Sequence, residues 1–269
     1  MGAHVEGPYL APQRKGCHNA DFFCLPDSTS LEEVYGKENL EKAIKLVTLA
    51  PELPDSQTCI EKLSSSQVRV SLGHSAASYE QGVRAVRGGA TAITHIFNAM
   101  APLHHREPGL GGMISSNEVG PYYSLIADGI HVHPAVATLA YRANPAKCML
   151  ITDSVELAGL PDGDYPGHAQ ISQTQRKEGN KVSIAGTDTL IGSCVSLDEC
   201  VKNLMSWSKC SVAEAVRCAT ENIADMMGLE DRGKLLEGRR ADFVVLNDEG
   251  TVLETWVGGK RTWTRHETK

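Results

Sequence analysis

The sequence contains no uninterrupted apolar stretch of the ~18 residues that a membrane-spanning helix needs. Its N-terminus lacks the basic segment, followed by an apolar one, that marks a secretory signal. Basic residues are fewer than acidic ones. The chain has 26 Lys and Arg and 33 Asp and Glu, which gives a formal net charge of −7. A nucleic-acid partner requires a basic face. We therefore expect a cytoplasmic protein with no membrane and no nucleic-acid partner, in which an anionic substrate needs a local positive patch.

Paired cysteines are missing as well. The eight cysteines of the 269-residue chain include no Cys-x-x-Cys pair. Without a signal peptide, reduced thiols in a cytosolic protein are the expected state, and a cysteine zinc site is disfavoured.

Short apolar runs alternate with helical segments along most of the chain. Predicted helices begin at the Ser78 capping box, at Pro134 and at the Ser211 capping box, and the last one runs to Gly228. Alternation at this spacing indicates an α/β fold with a parallel sheet. The predicted buried strands are residues 44–49, 68–72, 90–94, 122–126 and 148–152.

Two regions depart from this alternation. Residues 168–173 and 181–184 predict a β-hairpin excursion. Residues 241–246 and 252–257 predict strands with no helix between them. We therefore divide the chain into a hydrolase domain, residues 1–232, and a small β subdomain, residues 233–269.

Polar residues follow the ends of the buried runs. They are Glu6, His74, His95, His131 and Asp153. Any one of them alone is more often a loop or core residue than a functional one, so the prediction depends on five at successive strand ends. A (β/α)₈ barrel brings the C-terminal ends of its strands to one mouth. Two imidazoles and a carboxylate suit a divalent metal with an open position for water, and a further carboxylate suits a general base.

Seven short motifs occur in order along the chain. They are His4-Val5-Glu6-Gly7-Pro8-Tyr9, Gly16-Cys17-His18-Asn19, Gly73-His74-Ser75, Thr94-His95-Ile96-Phe97-Asn98-Ala99-Met100, Arg106-Glu107-Pro108-Gly109, Ala127-Asp128-Gly129-Ile130-His131 and Thr152-Asp153. Together they resemble the successive motifs of the N-acetylglucosamine-6-phosphate deacetylases, which are metal-dependent amidohydrolases.

The resemblance implies a TIM-like (β/α)₈ amidohydrolase barrel joined to part of a small β-sandwich. It implies that Glu6, His74 and His95 hold one divalent ion per subunit, zinc by preference, with iron, cobalt or manganese as alternatives. Asp153 would take a proton from the attacking water and later give it to the leaving amine. The implied reaction converts N-acetyl-D-glucosamine 6-phosphate to glucosamine 6-phosphate and acetate.

The resemblance also assigns substrate contacts. His18 and His131 would lie near the acetamido carbonyl and the sugar hydroxyls. The backbone of Asn98 and Ala99 would hold the phosphate with Arg106, which in one alternative reaches in from the second subunit of a homodimer. A loop at residues 190–192 would close over the substrate. The full predicted set of substrate contacts is Cys17, His18, Asn98, Ala99, Arg106, Asp128, His131, Leu190, Ile191 and Gly192.

The sequence departs from the family pattern at its front. Relatives carry a segment before the His-x-Glu-Gly-Pro motif, whereas three residues precede it here. From Glu6 to Asp153 the sequence predicts six strands, two short of a closed barrel, so we expect an incomplete barrel of marginal stability. This leaves open whether a second metal site exists. Smaller departures are Ile191, where a small polar residue is expected, and Glu156, an uncommon charge near the site.

Three interpretations therefore remain open from the sequence. The first is hydrolysis of N-acetylglucosamine 6-phosphate. The second keeps the fold and metal but shifts the substrate to a related sugar such as N-acetylgalactosamine 6-phosphate. The third is a truncated paralogue without activity.

Overall fold

The computed structural model describes residues 2–116 and 119–265. The chain divides into two compact units. The first comprises Met1–Ser124 and Asp153–Cys194, and the second comprises Leu125–Thr152 and Val195–Lys269. The predicted domain boundary at residues 232 and 233 stays a prediction, and its residues 266–269 lie outside the described part of the chain.

Parallel strands and helices alternate, as the sequence predicts. Each of the five predicted strand runs contains an observed strand, although the run 90–94 retains only two residues in strand geometry. The parallel strands are β1 (Ala3–Glu6), β2 (Ile44–Leu49), β3 (Arg69–Leu72), β4 (Ala92–Ile93), β5 (Tyr122–Ile126) and β6 (Cys148–Ile151).

In the first unit, β1 to β5 pair in chain order, each parallel to the next. The register places Glu6 opposite Thr48, Thr48 opposite Ser71 and Ser71 opposite Ala92. Consecutive strands therefore end near one another, and the residues that follow them meet at one edge of the sheet. The helices of this unit are α1 (Leu31–Tyr35), α2 (Lys37–Lys42), α3 (Ser56–Ser65), α4 (Tyr79–Arg87) and α5 (Gly109–Gly112), with 3₁₀ turns at Pro12–Arg14, Ala20–Phe22 and Met113–Ser115.

Apolar side chains of these strands are buried in the core of the unit. Val47, Leu49, Val70 and Leu72 are fully buried, as expected for parallel strands covered on both faces. Burial of each such side chain contributes about 1.5–3 kcal/mol. Ser78 caps the start of helix α4 and makes both hydrogen bonds of the predicted capping box.

The excursion after Asp153 forms a separate antiparallel sheet in the first unit, ordered β10-β9-β8-β7. The strand predicted at residues 168–173 is wrong, because that segment is irregular and its Ile171 side chain enters the core of the excursion. The loop predicted at residues 190–192 is also a strand. The four strands are β7 (Gly163–Tyr165), β8 (Gln175–Glu178), β9 (Lys181–Ile184) and β10 (Leu190–Ser193).

The second unit contains the end of β5, β6 and further helices. The single helix predicted from Ser211 to Gly228 is broken at Thr220, whose φ of −136° and ψ of −81° are not helical. The break directs the buried Asn222 amide to the carbonyls of Pro145 and Cys148, at 2.9 and 2.6 Å. The helices of this unit are α6 (Pro134–Ala143), α7 (Leu197–Ser208), α8 (Val212–Ala219) and α9 (Glu221–Met227).

A three-stranded antiparallel sheet ends the described chain, in the order β11-β12-β13. Two of its strands match the predicted runs at 241–246 and 252–257, and the third was not predicted. They are β11 (Phe243–Leu246), β12 (Val252–Val257) and β13 (Lys260–Thr264).

Two further observations concern chain-wide properties. Within residues 2–116 and 119–265, no helix has both the length and the apolar character needed to cross a membrane. All eight cysteines are free thiols.

Candidate active site

Three predicted metal ligands meet at the edge where the parallel strands of the first unit end. Glu6 is the last residue of β1, while His74 and His95 each lie two residues beyond a strand. The Nε2 atom of His95 is 3.1 Å from Glu6 Oε1 and 3.2 Å from His74 Nε2, and His74 Nε2 is 3.3 Å from Glu6 Oε1. Both imidazoles are buried. Three potential ligand atoms therefore form a nearly equilateral triangle.

Local contacts fix which nitrogen of His74 faces this triangle. Its Nδ1 is 2.8 Å from the backbone carbonyl of Arg14. A carbonyl only accepts hydrogen bonds, so Nδ1 donates to it and Nε2 is the nitrogen that faces Glu6 and His95. The preceding Gly73 is required by close packing, because a Cβ there would lie 2.9 Å from side-chain atoms of both Thr48 and Thr94.

The triangle fits a divalent metal ion. A tetrahedral ion with ligand bonds of about 2.0–2.1 Å separates its ligands by about 3.3–3.4 Å. The observed separations of 3.1–3.3 Å are close to this value. Two imidazole nitrogens and one carboxylate oxygen are donors that zinc and related divalent ions accept. Within the described residues, this is the one group of three or more His, Cys, Asp and Glu with such spacing.

The electrostatics of the group also favour a cation. Burial acts to raise the pKa of Glu6, but the charge of His95 and hydrogen bonds from His18, His74 and His95 hold it well below its usual value. Burial acts to lower the pKa of His95, but Glu6 and the more distant charge of Asp153 raise it to about 9. One anionic carboxylate thus faces three imidazoles, and in the metal-free protein a proton on His95 supplies the compensating charge.

His18 is the third imidazole around Glu6. Its Nε2 lies 3.5 Å from Glu6 Oε2, and its ring meets that of His74 edge-on at a centroid separation of 4.7 Å. The next residue, Asn19, donates from its backbone N–H to the carbonyl of Gln170 at 3.0 Å. The sheet excursion therefore holds the loop that carries His18.

Cys17 and the segment 190–192 meet in the same region. The Cys17 thiol lies 3.6 Å from the carbonyl of Ile191, and Ile191 is buried in β10. Burial raises the pKa of the Cys17 thiol to about 11, so the thiol is neutral at physiological pH. The structure thus brings Cys17 into contact with β10, and residues 190–192 form part of that strand instead of the predicted loop.

Asp153 lies near the triangle and on strained backbone. Its charge contributes to the raised pKa of His95, and its φ is +50°. The carbonyl of Asp153 accepts a hydrogen bond from Ser193 at 2.9 Å. Gly192 permits this approach, because a Cβ there would lie 2.6 Å from the Asp153 carbonyl oxygen. Asp153 is not part of the ligand triangle.

The predicted phosphate contacts do not belong to the triangle. The Asn98 N–H donates to the His95 carbonyl at 3.0 Å, so it closes a turn, and Ala99 follows with φ +48°. Arg106 lies on an exposed loop, where its guanidinium is 3.0 Å from the ring of His105. The rings of His104 and His105 are 4.3 Å apart. This loop is a local concentration of basic groups in an acidic chain.

In the second unit, Asp128 and His131 form a tight local pair. The His131 Nδ1 donates to Asp128 Oδ2 at 2.6 Å, while the backbone N–H groups of Ile130 and His131 donate to Oδ1 at 2.9 and 2.8 Å. Burial acts to raise the pKa of Asp128, but these hydrogen bonds and the charge of His131 lower it. The pair fixes the ring orientation of His131 through its Nδ1.

The sequence reasoning missed a chain of hydrogen bonds that ties the ligand-bearing strands together. His4 Nε2 lies 2.7 Å from the Thr48 hydroxyl, which lies 2.8 Å from that of Thr94, and the Ser71 hydroxyl lies 2.6 Å from Thr94. A signal for this chain is present in the sequence, because Thr48 and Ser71 interrupt apolar strands that are otherwise buried.

Comparison with known proteins gives a consistent result. The profile of the amidohydrolase family matches residues 1–262. An N-acetylglucosamine-6-phosphate deacetylase from Danio rerio is 43% identical over 272 residues, covering 98% of this chain and 66% of the relative. An N-acetylgalactosamine-6-phosphate deacetylase from Escherichia coli O157:H7 is 35% identical over 261 residues, covering 97% of this chain and 67% of the relative.

A solved structure shows the same fold. It contains an aspartate-to-alanine variant of N-acetyl-D-glucosamine-6-phosphate deacetylase from Mycobacterium smegmatis, in complex with N-acetyl-D-glucosamine-6-phosphate. The TM-score is 0.87 at 30% identity, and the match covers 97% of this chain and 68% of that one. This chain therefore spans about two thirds of the length of the proteins it matches.

These matches confirm the resemblance stated from the motifs and the expected amidohydrolase-type fold. A divalent metal ion is general in this family, and the triangle of Glu6, His74 and His95 provides a place for it. The chain belongs to the amidohydrolase family.

Proposed function

We propose that this chain hydrolyses the acetamido group of N-acetyl-D-glucosamine 6-phosphate, releasing glucosamine 6-phosphate and acetate. The observation that carries the proposal is the ligand triangle of Glu6, His74 and His95, with the separate carboxylate of Asp153 close enough to raise the pKa of His95. A metal site with an unligated carboxylate nearby suits metal-assisted hydrolysis of an amide. The names of the matched relatives supply the substrate class.

Glu6, His74 and His95 would hold one divalent ion, for which we propose zinc. Zinc is commonly bound in catalytic sites by three nitrogen and oxygen ligands of this kind, with a position left open. Iron, cobalt and manganese accept the same donors and are the alternatives. When bound, the ion would lower the pKa of water from ~16 toward about 7 and polarise the acetamido carbonyl.

Asp153 would move the proton. Its carboxylate accepts a proton from the attacking water and returns it to the nitrogen of the leaving amine, as a general base and then a general acid. His18, held near Glu6, would donate a hydrogen bond where negative charge develops on the carbonyl oxygen. The role of His131 as a contact to the sugar follows from the resemblance, and Asp128 would keep its ring oriented.

The phosphate would bind to basic groups outside the triangle, namely Arg106 with the turn at Asn98 and Ala99. A guanidinium can bind two phosphate oxygens at once. We expect Arg106→Ala to reduce kcat/KM for the phosphorylated sugar. The expected loss of transition-state stabilisation is about 1.5–3 kcal/mol, the usual scale for a hydrogen bond to a charged group. Kinetics with the unphosphorylated sugar provide the control. Equal losses on both sugars would remove Arg106 from phosphate binding.

The deacetylase from E. coli O157:H7 named for N-acetylgalactosamine 6-phosphate makes that epimer the second candidate substrate. A homodimer is proposed as the assembly, with Arg106 of one subunit near the site of the other. The cytoplasm is proposed as the compartment.

The decisive experiment combines metal analysis and kinetics on the purified chain. Acetate release is measured from both 6-phosphorylated epimers after loading with zinc, cobalt, manganese or iron, with metal stoichiometry determined for each. Faster turnover of N-acetylglucosamine 6-phosphate at one ion per chain supports the proposal. Faster turnover of the galacto epimer establishes the second candidate. Bound metal without turnover of either sugar would favour an inactive paralogue.

A further inference from the structure

The loops that follow β3 and β4 contain an unusual concentration of left-handed backbone. Left-handed conformations are unfavourable for residues with a side chain, and they persist where the surroundings hold the chain in place. Two of the four residues concerned are candidate metal ligands. The residues and their φ values are His74 (+47°), His95 (+30°), Phe97 (+72°) and Ala99 (+48°).

Ser75 connects the two strained loops. Its backbone N–H donates to the carbonyl of Ala99 at 3.0 Å, and its own carbonyl accepts from the N–H of Ala101 at 3.1 Å. Ser75 is fully buried and directly follows His74. Through this one residue, the position of a candidate metal ligand depends on the turn proposed to bind phosphate.

Glu52 anchors Ser75 from a third segment, the turn that follows β2. One oxygen of its carboxylate accepts from the Ser75 hydroxyl at 2.7 Å, and the other accepts from the Ala76 N–H at 2.5 Å. The Ser75 hydroxyl in turn accepts from the Ala77 N–H at 2.9 Å. A carboxylate accepts stronger hydrogen bonds than a neutral oxygen. Glu52 therefore fixes the turn immediately after His74 with two charge-assisted bonds.

We propose that Glu52 is a positioning residue that holds His74 in its ligand geometry and couples it to the turn at Ala99. This inference rests on the proposed metal site. It gives Glu52 no contact with metal or substrate, since its carboxylate acts through Ser75 and Ala76. Loss of the carboxylate leaves the strained turn with fewer restraints, so His74 Nε2 samples positions outside the triangle. Outer partners of metal-binding histidines typically contribute about 10- to 100-fold in metal affinity.

The chain offers a matched control at the start of α8. There the Glu214 carboxylate accepts from the Ser211 N–H at 2.8 Å and from the Ser211 hydroxyl at 2.7 Å. Glu52 and Glu214 thus bind the same two kinds of donor, a serine hydroxyl and a backbone N–H. Glu214→Ala reproduces the loss of such bonds at a helix cap instead of beside His74.

The experiment titrates Co²⁺ into the metal-stripped 269-residue chain, following heat by calorimetry and coordination geometry by visible absorption. The variants are Glu52→Ala, Glu52→Gln, Ser75→Ala and Glu214→Ala, each with its thermal unfolding midpoint measured. We expect Co²⁺ affinity to fall at least about tenfold in Glu52→Ala, with an altered visible spectrum. We expect Glu52→Gln to recover part of the loss and Glu214→Ala to bind as wild type.

Steady-state kinetics provide a second readout. At saturating metal, Glu52→Ala should raise KM for the phosphorylated sugar more than it lowers kcat, because the turn at Ala99 is loosened. Wild-type Co²⁺ affinity, spectrum and KM in both Glu52→Ala and Ser75→Ala would overturn the inference and leave the proposed function standing. If Glu52→Ala does not fold, Ser75→Ala and Glu52→Gln decide by the same criteria. A wild-type chain that takes up no Co²⁺ would overturn the inference and the proposed function together.

Discussion

Two of the histidine–carboxylate groups in the described part of the chain, those of Glu6 and Asp128, have different surroundings. In the first, Glu6 faces imidazoles whose sequence positions are 12, 68 and 89 residues away, with contacts of 3.1–3.5 Å. In the second, Asp128 binds His131 three residues away at 2.6 Å and also accepts two backbone N–H groups. The Asp128 carboxylate is saturated by local donors, whereas the Nε2 atoms of His74 and His95 and the Glu6 carboxylate converge on one point.

This difference assigns different tasks to similar residues. A locally saturated pair orients a ring and has no need of a cation. The Glu6 group assembles only when separate strands are in register, and acceptor atoms that face one another require a proton or a metal ion between them. Variants in the two groups should therefore separate metal binding from substrate orientation.

The largest effect is expected from His74→Ala, which removes one of the three proposed ligands. We expect loss of both bound metal and turnover, because a three-ligand site without one imidazole loses most of its affinity. Metal stoichiometry after dialysis and the rate of acetate release test this. Full occupancy in the variant would show that His74 is not a ligand.

Asp153→Asn should separate chemistry from binding within the same region. The amide retains the shape of the carboxylate but accepts no proton at neutral pH. We expect metal stoichiometry to remain that of the wild type while kcat falls at least ~10²-fold, since a positioned general base contributes ~10² to 10⁴. An unchanged kcat would make Asp153 structural, and a lost metal would make it a ligand.

The pH dependence of metal binding follows from the raised pKa of His95. Below about pH 9 the metal-free protein carries a proton on His95, and binding must displace it. The affinity for Mn²⁺ should therefore rise about tenfold per pH unit toward pH 9 and then level off.

The folding stability of the metal-free protein should change with pH in the opposite direction and fall as the pH rises. The contribution of the raised pKa is fully present below the unfolded value near 6.5 and is lost as the pH rises through about 9.

Calorimetry in buffers of different ionisation enthalpy counts the displaced protons directly. Release of about one proton per Mn²⁺ near pH 7 is expected. Affinity that stays constant between pH 6 and 8, with no proton release, would contradict a protonated His95.

The sequence was sufficient to predict features that depend on one strand at a time. Glu6, His74 and His95 follow buried apolar runs, so their convergence follows from the geometry of a parallel sheet. The α4 capping box depends on Ser78 and Gln81 alone and is observed as predicted.

Features that depend on distant contacts were not predicted. Residues 168–173 alternate in polarity like a strand, but the segment is irregular and the carbonyl of Gln170 accepts from Asn19. The break at Thr220 was missed because it depends on the contacts of Asn222 with Pro145 and Cys148. The sequence does not indicate the contacts of Glu52, because its partners lie 23 and 24 residues away.

The smallest expected effect comes from the local pair, through Asp128→Asn. Asparagine keeps one acceptor oxygen for the backbone N–H groups but replaces the charged acceptor for His131 Nδ1 with an amide. The His131 ring loses one charge-assisted hydrogen bond, worth about 1.5–3 kcal/mol, so we expect kcat/KM to fall by at least about tenfold. Metal stoichiometry and affinity should equal those of the wild type, because Asp128 and His131 are not ligands. His131→Asn is the companion variant, and adding Asp128→Asn to it should cause little further loss, since both remove the same oriented ring. Loss of metal from Asp128→Asn would mean that the two groups form one site, and the distinction between a locally saturated pair and a cation-requiring cluster would fail.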